Sequence, residues 1–126
     1  MKKLFLLFSH KLTPKQILDA KDNLGIEEFV ELPQNLQALW SNIPPHLQNL
    51  NDYLLPLKYY IKENAKNGDI FLIQGDFGGC CEMVNFVKSL GFVAVHATTK
   101  RDSKEEIIDG KVVKTSHFEH VIFRRY

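Results

Sequence analysis

Cysteine is nearly absent from this chain: its only two, Cys80 and Cys81, are neighbours in sequence. Adjacent cysteines cannot staple distant segments and offer no spaced ligand set, which excludes a disulfide framework and a zinc ribbon. Long apolar runs are missing too. The stretch Leu4-Phe5-Leu6-Leu7-Phe8, behind Met1-Lys2-Lys3, stops at Ser9-His10-Lys11 with no small-residue cleavage site. Nothing approaches the ~20 apolar residues of a membrane span, so a cytoplasmic protein with no membrane partner is expected. Charge of one sign is not in excess, the net charge being +1. Proteins that coat long DNA or RNA show a basic stripe. Here the basic residues come in small groups, among them Lys100-Arg101 and Arg124-Arg125, which suits a few phosphates better than a long nucleic acid.

What is present is an ordinary globular balance. With 126 residues, 44% of them hydrophobic and 25% charged, the chain can bury the core of one domain, residues 1–126. Residues 4–8 read as a strand buried on both faces. Thr13-Pro14-Lys15-Gln16 reads as a helix start, with Thr13 as cap, Pro14 at the first helical position and Gln16 closing a capping box; Gly25 ends that helix. Residues 28–32 alternate as a short strand. A helical face of Leu36, Leu39 and Trp40 breaks at Pro44-Pro45, and a helix is expected over 50–66, where Pro56 either kinks it or marks its start.

After the stop at Asn67-Gly68-Asp69, residues 70–73 form a further buried strand. A helix through Met83, Val84, Phe86, Val87 and Leu90 closes at Gly91, and residues 92–95 form another strand. Asp109-Gly110 predicts a hairpin between 106–108 and 111–113, and residues 118–123 a final strand. The pattern implies an α/β fold: a mostly parallel sheet flanked by helices, with a C-terminal β-hairpin and strand.

In such a sheet, ligands bind outside the carboxyl ends of the strands. Three polar segments are expected there. The first is the turn Gln74-Gly75-Asp76-Phe77-Gly78-Gly79. Its glycines permit close backbone approach, its helix-start amides suit a phosphate, and Asp76 suits either a ribose hydroxyl or a helix cap. A plain tight connection would carry the same residues. The turn matches neither a Walker loop nor a dinucleotide fingerprint, and Asp76-Phe77-Gly78 lacks the rest of a kinase signature.

Thr98-Thr99-Lys100-Arg101 forms the second segment, expected as a loop whose hydroxyls and cations fit phosphate oxygens; a solvated turn is the bland alternative. The third is Ser9-His10, with His10 as a candidate acid near neutral pH and Ser9 as an orienting hydroxyl. His96, His117 and His120 read as sheet residues, Cys80 and Cys81 as small packing residues. No metal cluster and no cofactor motif is visible.

Four segments together resemble one family. They are Leu7-Phe8-Ser9-His10 with Leu12-Thr13, Leu36 to Trp40 with Ile43-Pro44-Pro45, Leu72-Ile73-Gln74-Gly75-Asp76-Phe77-Gly78, and Ala97-Thr98-Thr99-Lys100-Arg101. The chain is similar to small stand-alone CRISPR-associated proteins of the Csx type, minimal ring nucleases related to the CRISPR-associated Rossmann fold (CARF). The third and fourth segments carry most of the likeness, and Gly79-Cys80-Cys81 departs from the small or aliphatic residues expected there.

The resemblance implies a Rossmann-like homodimer that cleaves a cyclic oligoadenylate, above all cyclic tetra-adenylate, and so switches off type III CRISPR signalling. By place in the fold rather than by motif, Ser9 and Lys100 take the catalytic positions, with His10 and Arg101 beside them. Gln74, Gly75, Asp76, Phe77, Gly78, Gly79, Thr98 and Thr99 would bind the ring. The reaction needs no metal: a ribose 2′-hydroxyl attacks its own phosphate and leaves a 2′,3′-cyclic phosphate. A sensor or sponge that binds the ring without cutting it is the alternative.

Overall fold

Local chemistry decides where the elements begin. In the computed structural model, which describes residues 1–126, Thr13 caps helix α1 (Pro14–Leu24) by accepting from the Gln16 amide, and the Gln16 side chain accepts in return from the Thr13 amide. Gly25, at a φ of 69°, turns the chain out of that helix. Pro56 does not kink a longer helix. It lies in the first turn of α3 (Leu55–Asn64), and 51–54 form turns ahead of it.

The remaining elements are β1 (Lys3–Leu7), β2 (Glu28–Glu31), α2 (Gln34–Ser41), β3 (Ile70–Ile73), α4 (Phe77–Ser89), β4 (Val93–Ile108) and β5 (Lys111–Arg125). One five-stranded sheet has the order β2-β1-β3-β4-β5. The β1–β2, β1–β3 and β3–β4 pairs are parallel, and β4–β5 is antiparallel.

Alternation along the central strands divides the core in two. Phe5, Leu7, Phe71, Ile73 and Ala94 point to one face, where they meet Leu36 and Trp40 of α2, Leu57 and Ile61 of α3, and Met83 and Val87 of α4. Leu4, Leu6, Ile70, Leu72 and Val95 point to the other and meet Ala20 of α1. Both faces of β1 and β3 are therefore covered, which is why these strands read as unbroken apolar runs. The chain winds one way from β1 to β2 and the other way from β3 to β4. The β1–β3 seam is thus the switch point, where the connections leaving the carboxyl ends of the two strands diverge.

The C-terminal third differs from expectation. The 92–95 strand, the Thr98–Arg101 segment, the hairpin and the 118–123 strand are not separate pieces. They merge into β4 and β5, a ribbon paired from Val95 with Arg125 to Ile108 with Lys111, turning at Asp109-Gly110 with φ of 51° and 75°. One irregularity interrupts it: Ala97 pairs with Phe123 and Thr99 with His120, leaving Thr98 opposite both Val121 and Ile122. Beyond that bulge the ribbon rises past the sheet edge, flanked by no other strand.

Candidate functional site

Ser9 and His10 follow β1 directly and form one wall of an open cleft of about 1150 Å³ at the carboxyl ends of β1 and β2. Glu31 enters the cleft from the end of β2, Gln37 and Ser41 from α2, and Lys11 from the loop after His10. The Ser9 and Ser41 hydroxyl oxygens lie 2.9 Å apart. The Gln37 amide nitrogen donates to the Phe8 carbonyl at 3.1 Å and to Ser41 Oγ at 3.0 Å. The His10 ring stands edge-on to Phe8, 5.5 Å between centroids, and is otherwise exposed. Glu31, Gln37 and Ser41 escaped the sequence reading. Glu31 at the end of a short strand gave a positional signal; Gln37 and Ser41, on a helix whose apolar face dominated the pattern, gave none.

The Gln74 to Gly79 turn follows β3 and lies beside this cleft rather than in it. It borders a second hollow of about 560 Å³ with Cys80, Cys81, His96 and Tyr126. Its shape is set largely by Trp40. The indole N–H donates to the Gln74 carbonyl at 3.1 Å, while the Gln74 side-chain oxygen accepts from the Ala97 amide at 2.7 Å. A Cβ on Gly75 would sit 3.3 Å from Trp40 Nε1, and the residue holds a φ of 153°. A Cβ on Gly79 would sit 2.6 Å from Ile43 Cδ1 and 3.3 Å from Trp40. These two glycines answer to packing against α2 and the segment after it. Only Gly78 faces a neighbourhood where a Cβ would make ordinary contacts.

The Asp76 carboxylate caps α4, accepting from the Gly79 amide at 2.9 Å. With the Cys80 amide bonded to the Asp76 carbonyl, the amides of Phe77 and Gly78 remain at this helix start. Phe77 is 94% exposed. The carboxylate also places negative charge beside those amides, which weakens the site for phosphate. Burial pushes the Cys80 thiol up from its ordinary range, so its place in the first helical turn does not make it a ready thiolate.

Thr98 to Arg101 is strand, not loop. Thr98 Oγ1 closes the bulge, donating to the Ile122 carbonyl and accepting from the Ile122 amide, both at 3.1 Å. Thr99 pairs with His120 and Lys100 with Glu119 across the ribbon. The Arg101 guanidinium stacks 5.7 Å from the Phe118 ring centroid. Leu7 pairs with Ile73 and Leu72 with Val95, and Gln74 is bonded to both Leu7 and Ala97, so Phe8, Gln74 and Ala97 lie at one level of the edge. Lys100 then stands roughly 10 Å beyond that level and roughly 10 Å sideways from Ser9, by strand rise and spacing. The three predicted segments share one edge of the sheet without sharing one pocket.

His120 is a sheet residue, as read, but with an unforeseen partner. It is 6% exposed and its Nε2 lies 2.7 Å from the Asp19 carboxylate of α1. Burial alone would raise the Asp19 pKa, but the Asn23 amide and His120 together hold it below its ordinary value. Lys15 also meets Glu119, so α1 is bound to β5 by two polar pairs. Trp40 is 2% exposed and belongs to the core. No helix is long and apolar enough to cross a membrane, and no three His, Cys, Asp or Glu side chains are grouped to hold a metal ion.

The family model described as "Uncharacterized protein MJ1673 family" matches residues 2–124. A Methanocaldococcus jannaschii protein described as "Uncharacterized protein MJ1673" is 48% identical over 126 residues, covering 100% of this chain and 98% of that protein. No solved structure matches.

Proposed function

This chain belongs to the MJ1673 family, and we propose that it is a cytoplasmic, CARF-related ring nuclease of Rossmann-like fold that opens cyclic oligoadenylate, with cyclic tetra-adenylate the preferred ring. The observation that carries the reading is the cleft at the carboxyl edge of β1 and β2, where the Ser9 hydroxyl and the His10 imidazole share one wall. The likeness of its sequence segments to the small Csx-type proteins supplies the substrate class.

In this reading Ser9 orients a phosphodiester and the ribose 2′-oxygen attacks that phosphorus in line, losing its proton to solvent. The bond from phosphorus to the 5′-oxygen breaks as His10 protonates the departing oxygen, leaving a 2′,3′-cyclic phosphate and a 5′-hydroxyl. Alignment and charge stabilisation do most of the work. The free amides of Phe77 and Gly78, with Lys100 and Arg101, serve the rest of the ring. A homodimer brings a second set of these groups, and the ribbon exposing Ile107, Val112 and Phe118 is its candidate arm.

The test is incubation of the pure protein with cyclic tetra-adenylate in excess EDTA, with product analysis. A linear product ending in a 2′,3′-cyclic phosphate is expected; an intact ring after many hours overturns the reading. His10→Ala is expected to slow turnover far more than it weakens binding, and Lys100→Ala to weaken binding of the ring. The offset between Lys100 and Ser9 within one chain favours a second reading, capture without cutting. Thermal stabilisation by the ring with no product would establish it.

A further inference from the structure

The cleft contains a short chain of hydrogen bonds whose first link has a fixed direction. The Phe8 carbonyl can only accept, so Gln37 must present its amide NH2 there rather than its oxygen. The second hydrogen of that NH2 goes to Ser41 Oγ, four residues along the same helix. Ser41 therefore accepts from Gln37. Either hydroxyl can donate across the 2.9 Å between Ser41 Oγ and Ser9 Oγ, and because a hydroxyl that accepts becomes a better donor, cooperativity favours Ser41 as the donor. With Ser41 donating, Ser9 accepts and keeps its own hydrogen free. Ser9 is exposed and lines the cleft, beside His10 and Lys11.

We propose that Gln37 and Ser41 are positioning residues which set the Ser9 hydroxyl as a donor toward a phosphodiester oxygen held in this cleft. The inference rests on the phosphoester reading of the site. Both residues line the cleft, and the effect proposed for them passes through Ser9. Reversing the first link reverses the chain. A carboxylate at position 37 would accept from Ser41, Ser41 would accept from Ser9, and no hydrogen would be left for the ligand.

The experiment compares Gln37→Glu, Ser41→Val and Ser41→Thr, alone and in a Ser9→Ala background, by kcat and KM for cyclic tetra-adenylate. Far-UV circular dichroism verifies folding. Val and Thr share a shape and differ in the hydroxyl, so Ser41→Val is expected to lose about tenfold in kcat/KM, the value of one oriented hydrogen bond, while Ser41→Thr stays within about threefold of wild type. Gln37→Glu is expected to lose more than Ser41→Val. In the Ser9→Ala background neither Gln37→Glu nor Ser41→Val should lower the rate further.

Equal losses for Val and Thr, or losses that add to that of Ser9→Ala, overturn the proposal. If wild type neither binds nor cuts the ring, the ring-nuclease reading fails on its own. The relay is then read from amide chemical shifts of Ser9 and His10 during titration with the dinucleotide ApA. Shifts in wild type that vanish in Gln37→Glu support the relay; no shift in wild type overturns it too.

Discussion

Replacing Trp40 by Phe tests whether the glycine turn is held in shape by the core beneath it. The indole is 2% exposed and donates to the Gln74 carbonyl at 3.1 Å. Its ring also fills the spaces where side chains on Gly75 and Gly79 would project. Losing the donor costs about 1 kcal/mol and leaves a carbonyl short of a partner. Full truncation of a buried Trp costs about 3–5 kcal/mol, and Phe refills roughly half of that space, leaving about 1–2 kcal/mol. The total is about 2–3 kcal/mol. With a urea m-value of about 1.5 kcal/mol per molar for a chain of this size, the unfolding midpoint should fall by roughly 1.5 M. Far-UV circular dichroism is the readout, because Trp40 is the only tryptophan and its fluorescence is lost with it. Hydrogen exchange at the turn should accelerate more than exchange in β1. A loss below about 0.5 kcal/mol, or unchanged exchange, would refute the claim that Trp40 templates the turn.

Lys58 of α3 is 9% exposed overall and donates to Glu82 at 2.6 Å and to Asn51 at 2.8 Å, with the Phe86 ring centroid 5.5 Å away. Glu82→Ala strands that cation and should cost about 2 kcal/mol in urea unfolding, less than for a fully buried pair because water reaches Glu82; Lys58→Met should stay within about 1 kcal/mol of wild type. Asp19 titrates below its ordinary 3.8, so its contribution is complete above that value and drains away as pH falls through the lowered one. Asp19→Asn should flatten the acid limb of a stability-versus-pH curve below about pH 4. Burial pushes Tyr126 up to about 12, and its hydroxyl donates to the Ile73 carbonyl at 2.5 Å. That stabilisation is complete below the ordinary value of 10 and lost as pH rises through about 12, so Tyr126→Phe should remove the alkaline slope in that window.

The parallel strands were legible because both of their faces are buried, which turns 4–8 and 70–73 into continuous apolar runs. The start of α1 was legible because its capping box lies within four consecutive residues. The ribbon was not. Thr98 to Arg101 look like a loop because neither face of the strand beyond the bulge is buried, so no two-residue alternation was imposed on the sequence. A strand held mainly by its neighbour's backbone leaves little trace in side-chain pattern. Asp109-Gly110 survived as a signal because its turn demands positive φ at both positions.

The glycines of the turn show the limit of reading chemistry from residue type. A small residue after a strand is compatible with ligand approach and with close packing, and the sequence does not say which surface will press on it. Here Ile43, 36 positions before Gly79, presses on that glycine, and Trp40 on both Gly75 and Gly79. Ser9 and Ser41 are likewise 32 residues apart, and their contact exists only because α2 crosses the end of β1. The proposed function therefore rests less on the glycine-rich turn than on what α2 presents beside it. Its buried face carries Trp40, which shapes the turn, while Gln37 and Ser41 address Phe8 and Ser9, the first two residues after β1. A substitution on the buried face should accordingly be read in stability, and one at Gln37 or Ser41 in the behaviour of Ser9. Separating those two readouts on a single eight-residue helix is the sharpest way to learn whether the cleft or the turn is the working part of the molecule.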